Sequence, residues 1–219
     1  KLVVAGNLLN EEIKKLGSFG QRVINHPSKT VIIAGGAKVS DKINVLKQFV
    51  HVGVKAIFIG GKMVNSFLIA QKEKLKITPF SLTDIPRTLL SSKEENNKNF
   101  INEVALAGEI LDFAKEKKVN LILPEDYKCV DEFKAPTFFI ESEPDFERVL
   151  QLDLGPKTIE NFKNTILSNG IENIFWNGPL GAYDHPTNHD YAEGSLELAQ
   201  LLFEEALTNK KFLVVIGGG

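Results

Sequence analysis

Short apolar runs alternate with longer segments of helical periodicity along most of the chain. Several of the runs are short and rich in β-branched residues, which is typical of buried strands. The predicted strands are Thr30–Ala34, Lys55–Ile59, Val119–Leu123, Ile171–Trp176 and Phe212–Ile216. This alternation predicts an α/β fold, a Rossmann-like, doubly wound and mostly parallel sheet with helices on both faces.

The segments between these strands repeat apolar residues every three or four positions, as one buried helix face requires. Helices are predicted at about 40–50, 63–72, 95–117, 156–168 and 191–207. An extra helix is predicted over Asn10–Asn25, with Asn10 as its N-cap. The remaining segments are predicted to be an exposed connection over 74–93, a strand over Thr137–Ile140 and a turn over 142–144.

Charge and composition exclude several classes of function. The net charge is -2 and only three arginines occur, so we expect no nucleic-acid partner. The single Cys129 allows no internal disulfide and favours a reducing compartment. No apolar run reaches the roughly 20 residues of a membrane span, and we expect a cytoplasmic protein with no membrane partner.

The chain begins at Lys1 and ends with three glycines at 217–219, so we expect a piece of a larger protein.

Glycines follow the predicted strands at 35–36, 60–61, 178 and 217–219, where parallel sheets bind their ligands. After the first strand, Gly35 and Gly36 would let the backbone approach a ligand. Lys38 and Lys42 follow four residues apart, near the start of the predicted helix and on one face, a pattern that suits an anion. The alternative is a plain strand–helix turn with solvated lysines, and the spacing alone leaves both interpretations open.

The two common phosphate-loop formulas are absent. No Gly-Lys pair is followed by Ser or Thr, and no G-x-G-x-x-G follows the first strand. The loop WNGPLGAYD (176–184) is a second candidate. Asn177 could hydrogen-bond a ribose or phosphate oxygen and Asp184 could accept from ribose hydroxyls, whereas the alternative is an Asn that only serves its own turn.

The histidines do not predict a metal site. His185 and His189 have helical spacing, but Pro186 between them makes a shared helical face unexpected. We therefore expect the four histidines of the chain at the surface or at caps, and acidic residues at 131–132 and 141–143 in solvent.

Taken in order, several segments resemble those of the phosphoglycerate kinase family. They are AGNLLNEEI (5–13), GGAKVSDKI (35–43), IGGKMVNSFL (59–68), LPEDY (123–127), LDLGPKT (152–158), WNGPLGAYD (176–184) and IGGG (216–219). The resemblance runs over nearly the whole chain. It implies an interdomain or extra helix region over 1–29 and a nucleotide-binding α/β domain over 30–219 that is incomplete at its carboxyl end.

The family transfers a phosphoryl group between 1,3-bisphosphoglycerate and Mg²⁺-bound ADP, giving 3-phosphoglycerate and ATP. The resemblance implies that Lys38 would reach the transferred phosphoryl group and Lys42 the phosphate on the triose side. It also implies a monomer that binds ADP or ATP. The implied nucleotide-binding residues are Gly35, Gly36, Ala37, Lys38, Lys42, Gly60, Gly61, Leu152, Asn177, Gly178, Pro179, Asp184, Gly217, Gly218 and Gly219.

Parts of the family's site would lie outside this chain. The resemblance places the phosphoglycerate site in an amino-terminal domain and the Mg²⁺-binding Asp after Gly219, so we expect no metal ligand here and no turnover by the chain alone. Lys62, Gln151 and Asp184 stand where the family usually has Gly, Gly and Glu. Two alternatives remain, a diverged non-catalytic relative that acts as a nucleotide-binding or interaction module, and an unrelated doubly wound domain.

Overall fold

A computed structural model describes residues 7–73, 94–131, 138–140, 149–168, 170–184, 189–208 and 212–217. The strands are β1 (Thr30–Ala34), β2 (Ala56–Ile59), β3 (Asn120–Ile122), β4 (Tyr127–Asp131), β5 (Phe138–Ile140), β6 (Val149–Leu154), β7 (Asn173–Asn177) and β8 (Leu213–Gly217). The helices are α1 (Asn7–Asn25), α2 (Ile43–Val52), α3 (Val64–Glu73), α4 (Glu94–Lys117), α5 (Pro156–Leu167) and α6 (Glu193–Phe203).

The strand β1 lies at the centre of a five-stranded parallel sheet with the order β3-β2-β1-β7-β8. Every residue of its sequence TVIIA is buried. Such a continuous apolar run suits a central parallel strand, because helices cover both faces of the sheet. The register pairs Ile33 with Phe58 of β2 on one side and with Trp176 of β7 on the other.

Alternate residues of β1 and β2 enter two separate hydrophobic cores. Ile32 and Ile57 pack with the buried faces of α1, α2, α3 and α4. Val31 and Phe58 pack with those of α5 and α6 on the opposite face. The doubly wound α/β fold predicted from the sequence is therefore confirmed. None of the described helices is long and apolar enough to cross a membrane.

A second sheet, antiparallel with the order β5-β4-β6, was not predicted except for its strand β5. Of its other strands, YKCVD has no regular alternation, whereas VLQLDL alternates apolar and polar residues over 150–154 and was not recognised as a strand. Two charged residues of these strands, Lys128 and Asp153, are buried. The predicted connection at 74–93 and turn at 142–144 lie outside the described residues.

Two predicted helix starts were wrong. The helix α1 begins at Asn7, so Asn10 is an interior residue rather than the N-cap, because no helix-breaking residue interrupts 7–10. The helix α2 begins at Ile43, because a turn closed by the Lys42 amide and the Val39 carbonyl (2.9 Å) precedes it. Lys38 and Lys42 consequently lie in a loop and do not share a helical face.

The last predicted helix is shorter than expected from its periodicity. Residues 191–207 were predicted to be one helix, but α6 covers only Glu193–Phe203. A 3₁₀ turn over His189–Ala192 precedes it and a π-helical turn over Glu204–Thr208 follows it.

The helix α1 packs on β7 and completes one of the two cores. Phe19 and Val23 are buried, and the Phe19 ring lies 6.0 Å from that of Phe175. The Arg22 Nε donates a hydrogen bond of 2.9 Å to the Asn173 side chain. The helix that precedes β1 therefore shares its hydrophobic core with the sheet.

The core between the sheet and α5 offers a direct test of this packing. The rings of Phe58 and Phe162 stack with centroids 4.0 Å apart, and both residues are fully buried. We expect Phe162→Ala to lower the free energy of unfolding by about 3–5 kcal/mol, since it leaves a cavity. Urea denaturation followed by circular dichroism measures the change.

The matched control is Phe203→Ala, because Phe203 is 64% exposed. It should change the free energy of unfolding by no more than about 0.5 kcal/mol. Equal effects of the two substitutions would contradict this account of the core.

Candidate functional site

Three loops meet at the carboxyl edge of the parallel sheet, and backbone hydrogen bonds join them. The Gly36 amide donates to the Pro179 carbonyl at 2.8 Å, and the Gly61 amide donates to the Leu180 carbonyl at 2.9 Å. The Met63 amide in turn donates to the Gly36 carbonyl at 3.0 Å. The loops that follow β1, β2 and β7 therefore form one connected surface.

The glycines in these loops allow this close contact. A Cβ on Gly35 would lie 2.1 Å from the Pro179 carbonyl oxygen, and one on Gly178 would lie 2.6 Å from the Gly35 oxygen. A Cβ on Gly61 would lie 2.6 Å from Gly36 backbone atoms, and Gly61 also has a φ of +68°. Backbone contact between loops thus requires that these positions have no side chain.

The open part of the cleft contains both predicted lysines. This cavity of about 620 Å³, here called the lysine compartment, is lined by Gly36, Ala37, Lys38, Asp41, Lys42, Trp176, Asn177, Gly178, Pro179, Tyr183, Ile216 and Gly217. The Lys42 Nζ donates a short hydrogen bond to the Asn177 Oδ1. Partial burial lowers the pKa of Lys42, although the charge of Asp41 opposes this shift. Lys42 is therefore a fixed and partly desolvated cation.

An adjoining cavity of about 320 Å³ has mostly apolar walls. This apolar compartment is lined by Gly36, Ala37, Gly61, Lys62, Val64, Pro124, Tyr127, Leu152, Asp153, Leu154, Pro179, Leu180, Gly181, Ala182, Tyr183 and Asp184. It shares Ala37, Pro179 and Tyr183 with the lysine compartment, so the two cavities meet. Both volumes lie in the range of small-molecule sites.

Most residues selected from the sequence line one of these compartments. Those that do are Gly36, Ala37, Lys38, Lys42, Gly61, Leu152, Asn177, Gly178, Pro179, Asp184 and Gly217. Gly35 and Gly60 line neither; they lie behind the cleft, where a Cβ on Gly60 would lie 2.4 Å from the Leu180 side chain. Gly218 and Gly219 lie outside the described residues.

Sequence reasoning missed other lining residues. Tyr183 is 57% exposed and lines both compartments, within the loop WNGPLGAYD. Pro124 and Tyr127 belong to the segment LPEDY, and the Tyr127 hydroxyl donates to the Pro124 carbonyl at 2.8 Å. These three residues lie within segments already selected for their motifs, and those motifs could have identified them as lining residues. The buried Asp153 also lies in a selected segment, LDLGPKT.

The segments LPEDY and LDLGPKT hold each other in place. The buried Asp126 carboxylate accepts from the Thr158 amide at 2.7 Å and from the Lys157 amide at 3.0 Å. It thereby caps the first turn of α5 from a distant part of the chain, where free amides need acceptors. A Cβ on Gly155 would lie 2.3 Å from the Asp126 Cγ. This contact fixes the end of β6, which lines the apolar compartment.

The single cysteine does not add a reactive thiol to the part of the chain that the structure describes. Burial raises the pKa of the Cys129 thiol to about 12, so it stays protonated and is a poor nucleophile. His189 starts the 3₁₀ turn before α6, and His185 lies outside the described residues. In the described ranges, no group of three or more His, Cys, Asp or Glu side chains could hold a metal ion.

Comparison with known proteins gives one consistent family. The sequence profile of phosphoglycerate kinase matches residues 1–219. The phosphoglycerate kinase of Chlorobium phaeobacteroides is 33% identical over 219 residues, covering 99% of this chain and 47% of the relative. That of Thermosipho africanus is 36% identical over 220 residues, covering 99% and 47%. The chain thus spans about half the length of the curated relatives it matches.

Solved structures agree with this result. The phosphoglycerate kinase of Coxiella burnetii superposes with a TM-score of 0.69 at 26% sequence identity, covering 98% of this chain and 47% of that chain. The enzyme of Pyrococcus horikoshii gives the same TM-score at 24% identity, which supports the fold alone.

The contact between loops can be tested at Gly35. We expect Gly35→Ala to lower the free energy of unfolding by at least about 2 kcal/mol, because the new methyl group collides with backbone that cannot move aside easily. Thermal and urea unfolding measure this loss.

Gly17→Ala is the control, because a Cβ at Gly17 meets nothing within 4 Å. Alanine inside α1 should raise the free energy of unfolding by about 0.5–1 kcal/mol. A Gly35→Ala variant as stable as the starting protein would show that the loops are not closely joined.

Proposed function

The chain belongs to the phosphoglycerate kinase family, and we propose that it forms the nucleotide-binding half of such a kinase. The complete enzyme would move a phosphoryl group from 1,3-bisphosphoglycerate to ADP, giving 3-phosphoglycerate and ATP, a step of glycolysis. In this proposal residues 30–219 bind ADP or ATP, and the phosphoglycerate binds to a domain that this chain does not contain.

The observation that carries the proposal is the joining of an apolar compartment to a lysine compartment. A nucleotide has the same two parts, a flat and largely apolar base and an anionic phosphate chain. The base would lie against Leu152, Leu154 and Val64, and the phosphates would extend past Ala37 toward Lys38 and Lys42. Asp184 lines the apolar compartment and would accept hydrogen bonds from the ribose hydroxyls.

The two lysines would neutralise charge during phosphoryl transfer. Such reactions depend mainly on positioning and on electrostatic stabilisation of the transferred group. The hydrogen bond to Asn177 holds the Lys42 ammonium in the cleft before any ligand arrives. Lys38 has no hydrogen-bond or ion-pair partner among the described residues, which leaves its ammonium available to a phosphate.

The family implies Mg²⁺ with the nucleotide, and the described residues include no group of three or more His, Cys, Asp or Glu side chains that could hold a metal ion. Mg²⁺ in kinases is commonly held by one or two carboxylates together with substrate phosphates. We therefore assign no metal ligand within this chain. No step of the proposal depends on the ion's coordination.

Calorimetric titration with ADP and with adenosine tests the assignment of the two compartments. We expect Lys38→Met and Lys42→Met each to weaken ADP binding by about tenfold, the size of a lost charged hydrogen bond. Adenosine should bind both variants as it binds the starting protein, within about twofold, because it carries no phosphate.

Lys163→Met is the matched control, since Lys163 pairs with Glu197 between the outer helices α5 and α6. It should leave both affinities unchanged. Equal losses for ADP and adenosine in the Lys38 and Lys42 variants would refute the proposed orientation of the nucleotide.

A coupled kinase assay tests the second part of the proposal, that the 219-residue chain does not turn over by itself. We expect no activity above background, because the chain supplies one side of a site whose phosphoglycerate-binding side lies elsewhere. A rate near that of a full-length relative assayed beside it would disprove this. Absence of both turnover and ADP binding would instead favour a diverged, non-catalytic relative.

A further inference from the structure

A buried carboxylate lies in the wall of the apolar compartment. Asp153, near the end of β6, is 4% exposed. Its Oδ1 accepts a hydrogen bond from the Leu154 amide at 2.9 Å, and its Oδ2 accepts one from the Gly194 amide at 2.9 Å. Gly194 belongs to the first turn of α6, where free amides and the helix dipole favour a negative charge. Asp153 therefore joins β6 to the start of α6.

A loop that also lines the compartment, Leu180–Ala182, is packed directly on this carboxylate. A Cβ on Gly181 would lie 2.4 Å from the Asp153 Oδ1 and 2.2 Å from the Tyr191 carbonyl oxygen. The Ala182 amide donates to the Leu152 carbonyl at 2.7 Å, and the Leu180 amide donates to the Ser195 hydroxyl at 3.0 Å. The loop is thus held between β6 and α6 at the point where Asp153 connects them.

The charges around Asp153 come from each element packed against it. Lys128 of β4 is 7% exposed and pairs with Glu193 of α6 at 2.7 Å. Lys128 Nζ also lies 6.0 Å from the ring centroid of Tyr191, in the 3₁₀ turn that begins with His189. Lys62 and Asp184 line the same compartment.

Burial raises the pKa of Asp153 from 3.8 to about 6. The amides of Gly194 and Leu154 and the charge of Lys128 oppose this shift, while Glu193 adds to it. The carboxylate is therefore ionised at neutral pH and gains a proton under mildly acidic conditions. A protonated oxygen accepts hydrogen bonds less strongly, so the link between β6 and α6 weakens when the proton binds.

We propose that Asp153 is a positioning residue for the apolar compartment: its carboxylate holds the Leu180–Ala182 wall in the binding geometry, and its protonation weakens nucleoside binding. The inference rests on the proposed function, because it takes the nucleoside as the compartment's ligand. Asp153 acts through the loop and α6, and it need not touch the reacting phosphates.

Protonation of Asp153 has opposite effects on folding and on nucleoside binding, and this difference separates a positioning role from a general loss of stability. The pKa of Asp153 is higher in the folded protein than the ordinary 3.8. Between pH 3.8 and about 6 the folded state therefore binds more protons at this group than the unfolded state does. Through Asp153, acidification across that range favours folding, whereas we expect the same acidification to weaken binding.

Calorimetric titration with adenosine at pH 7.5 and pH 5.0 tests the inference without interference from phosphate groups, which titrate in this range. We expect the affinity of the starting protein to fall by about tenfold at pH 5.0, the effect of weakening charged hydrogen bonds. Asp153→Asn, which resembles the protonated form, should show the weaker affinity at both pH values.

Two control variants show whether the pH dependence of binding arises from the Asp153 carboxylate or from another titratable group. His189→Gln removes the histidine in the adjoining turn and should keep the full pH dependence. Glu172→Gln removes a carboxylate that pairs with Lys29, outside the cavity lining, and should also keep it. Loss of the pH dependence in the His189 variant, with its retention in Asp153→Asn, would overturn the inference.

A second measurement covers the case in which Asp153→Asn does not fold. Carboxyl ¹³C NMR on the starting protein follows Asp153 itself, and saturating adenosine should move its titration midpoint to lower pH. An unchanged midpoint would overturn the inference alone. Failure of adenosine to bind at pH 7.5 would overturn the proposed function, and the inference with it.

Discussion

The contact between the glycine loops at the carboxyl edge of the sheet is the constraint on which the cleft depends. Gly36, Gly61 and the Pro179–Leu180 backbone hydrogen-bond to one another, and their close approach excludes side chains at Gly35 and Gly178. The parallel sheet brings these loops together because β1, β2 and β7 are adjacent and point the same way. Both compartments of the cleft share residues of this connected surface.

The connected surface of the glycine loops also separates a positively charged part of the cleft from an apolar part. On one side, the partly desolvated Lys42 and the exposed Lys38 offer positive charge. On the other, β6 and the loop after β7 offer apolar walls that Asp126 and Asp153 position from behind. Buried carboxylates that cap α5 and α6 therefore link helix stability to the shape of the cavity. The site accordingly depends on hydrogen bonds that Asp126 and Asp153 make to backbone amides of α5 and α6.

The parallel sheet could be predicted because its strands are continuous apolar runs, such as TVIIA, that helices bury on both faces. Of the antiparallel sheet only β5 was predicted, since β4 and β6 bury Lys128 and Asp153, which look solvated in sequence. The resemblance selected Lys38, Lys42 and Asn177, and the structure places them around one cavity. Their chemical roles remain predictions. The function of Asp126 as a distant helix cap depends on tertiary contact and has no local signature.

The central claim is that one cleft binds a base in its apolar compartment and phosphates in its lysine compartment. A crystal structure of the protein soaked with ADP tests it most directly. The account predicts density for the base against Leu152 and Val64, with the phosphates within hydrogen-bond distance of Lys38 or Lys42. Phosphates bound away from both lysines, or a base bound outside the apolar compartment, would contradict it.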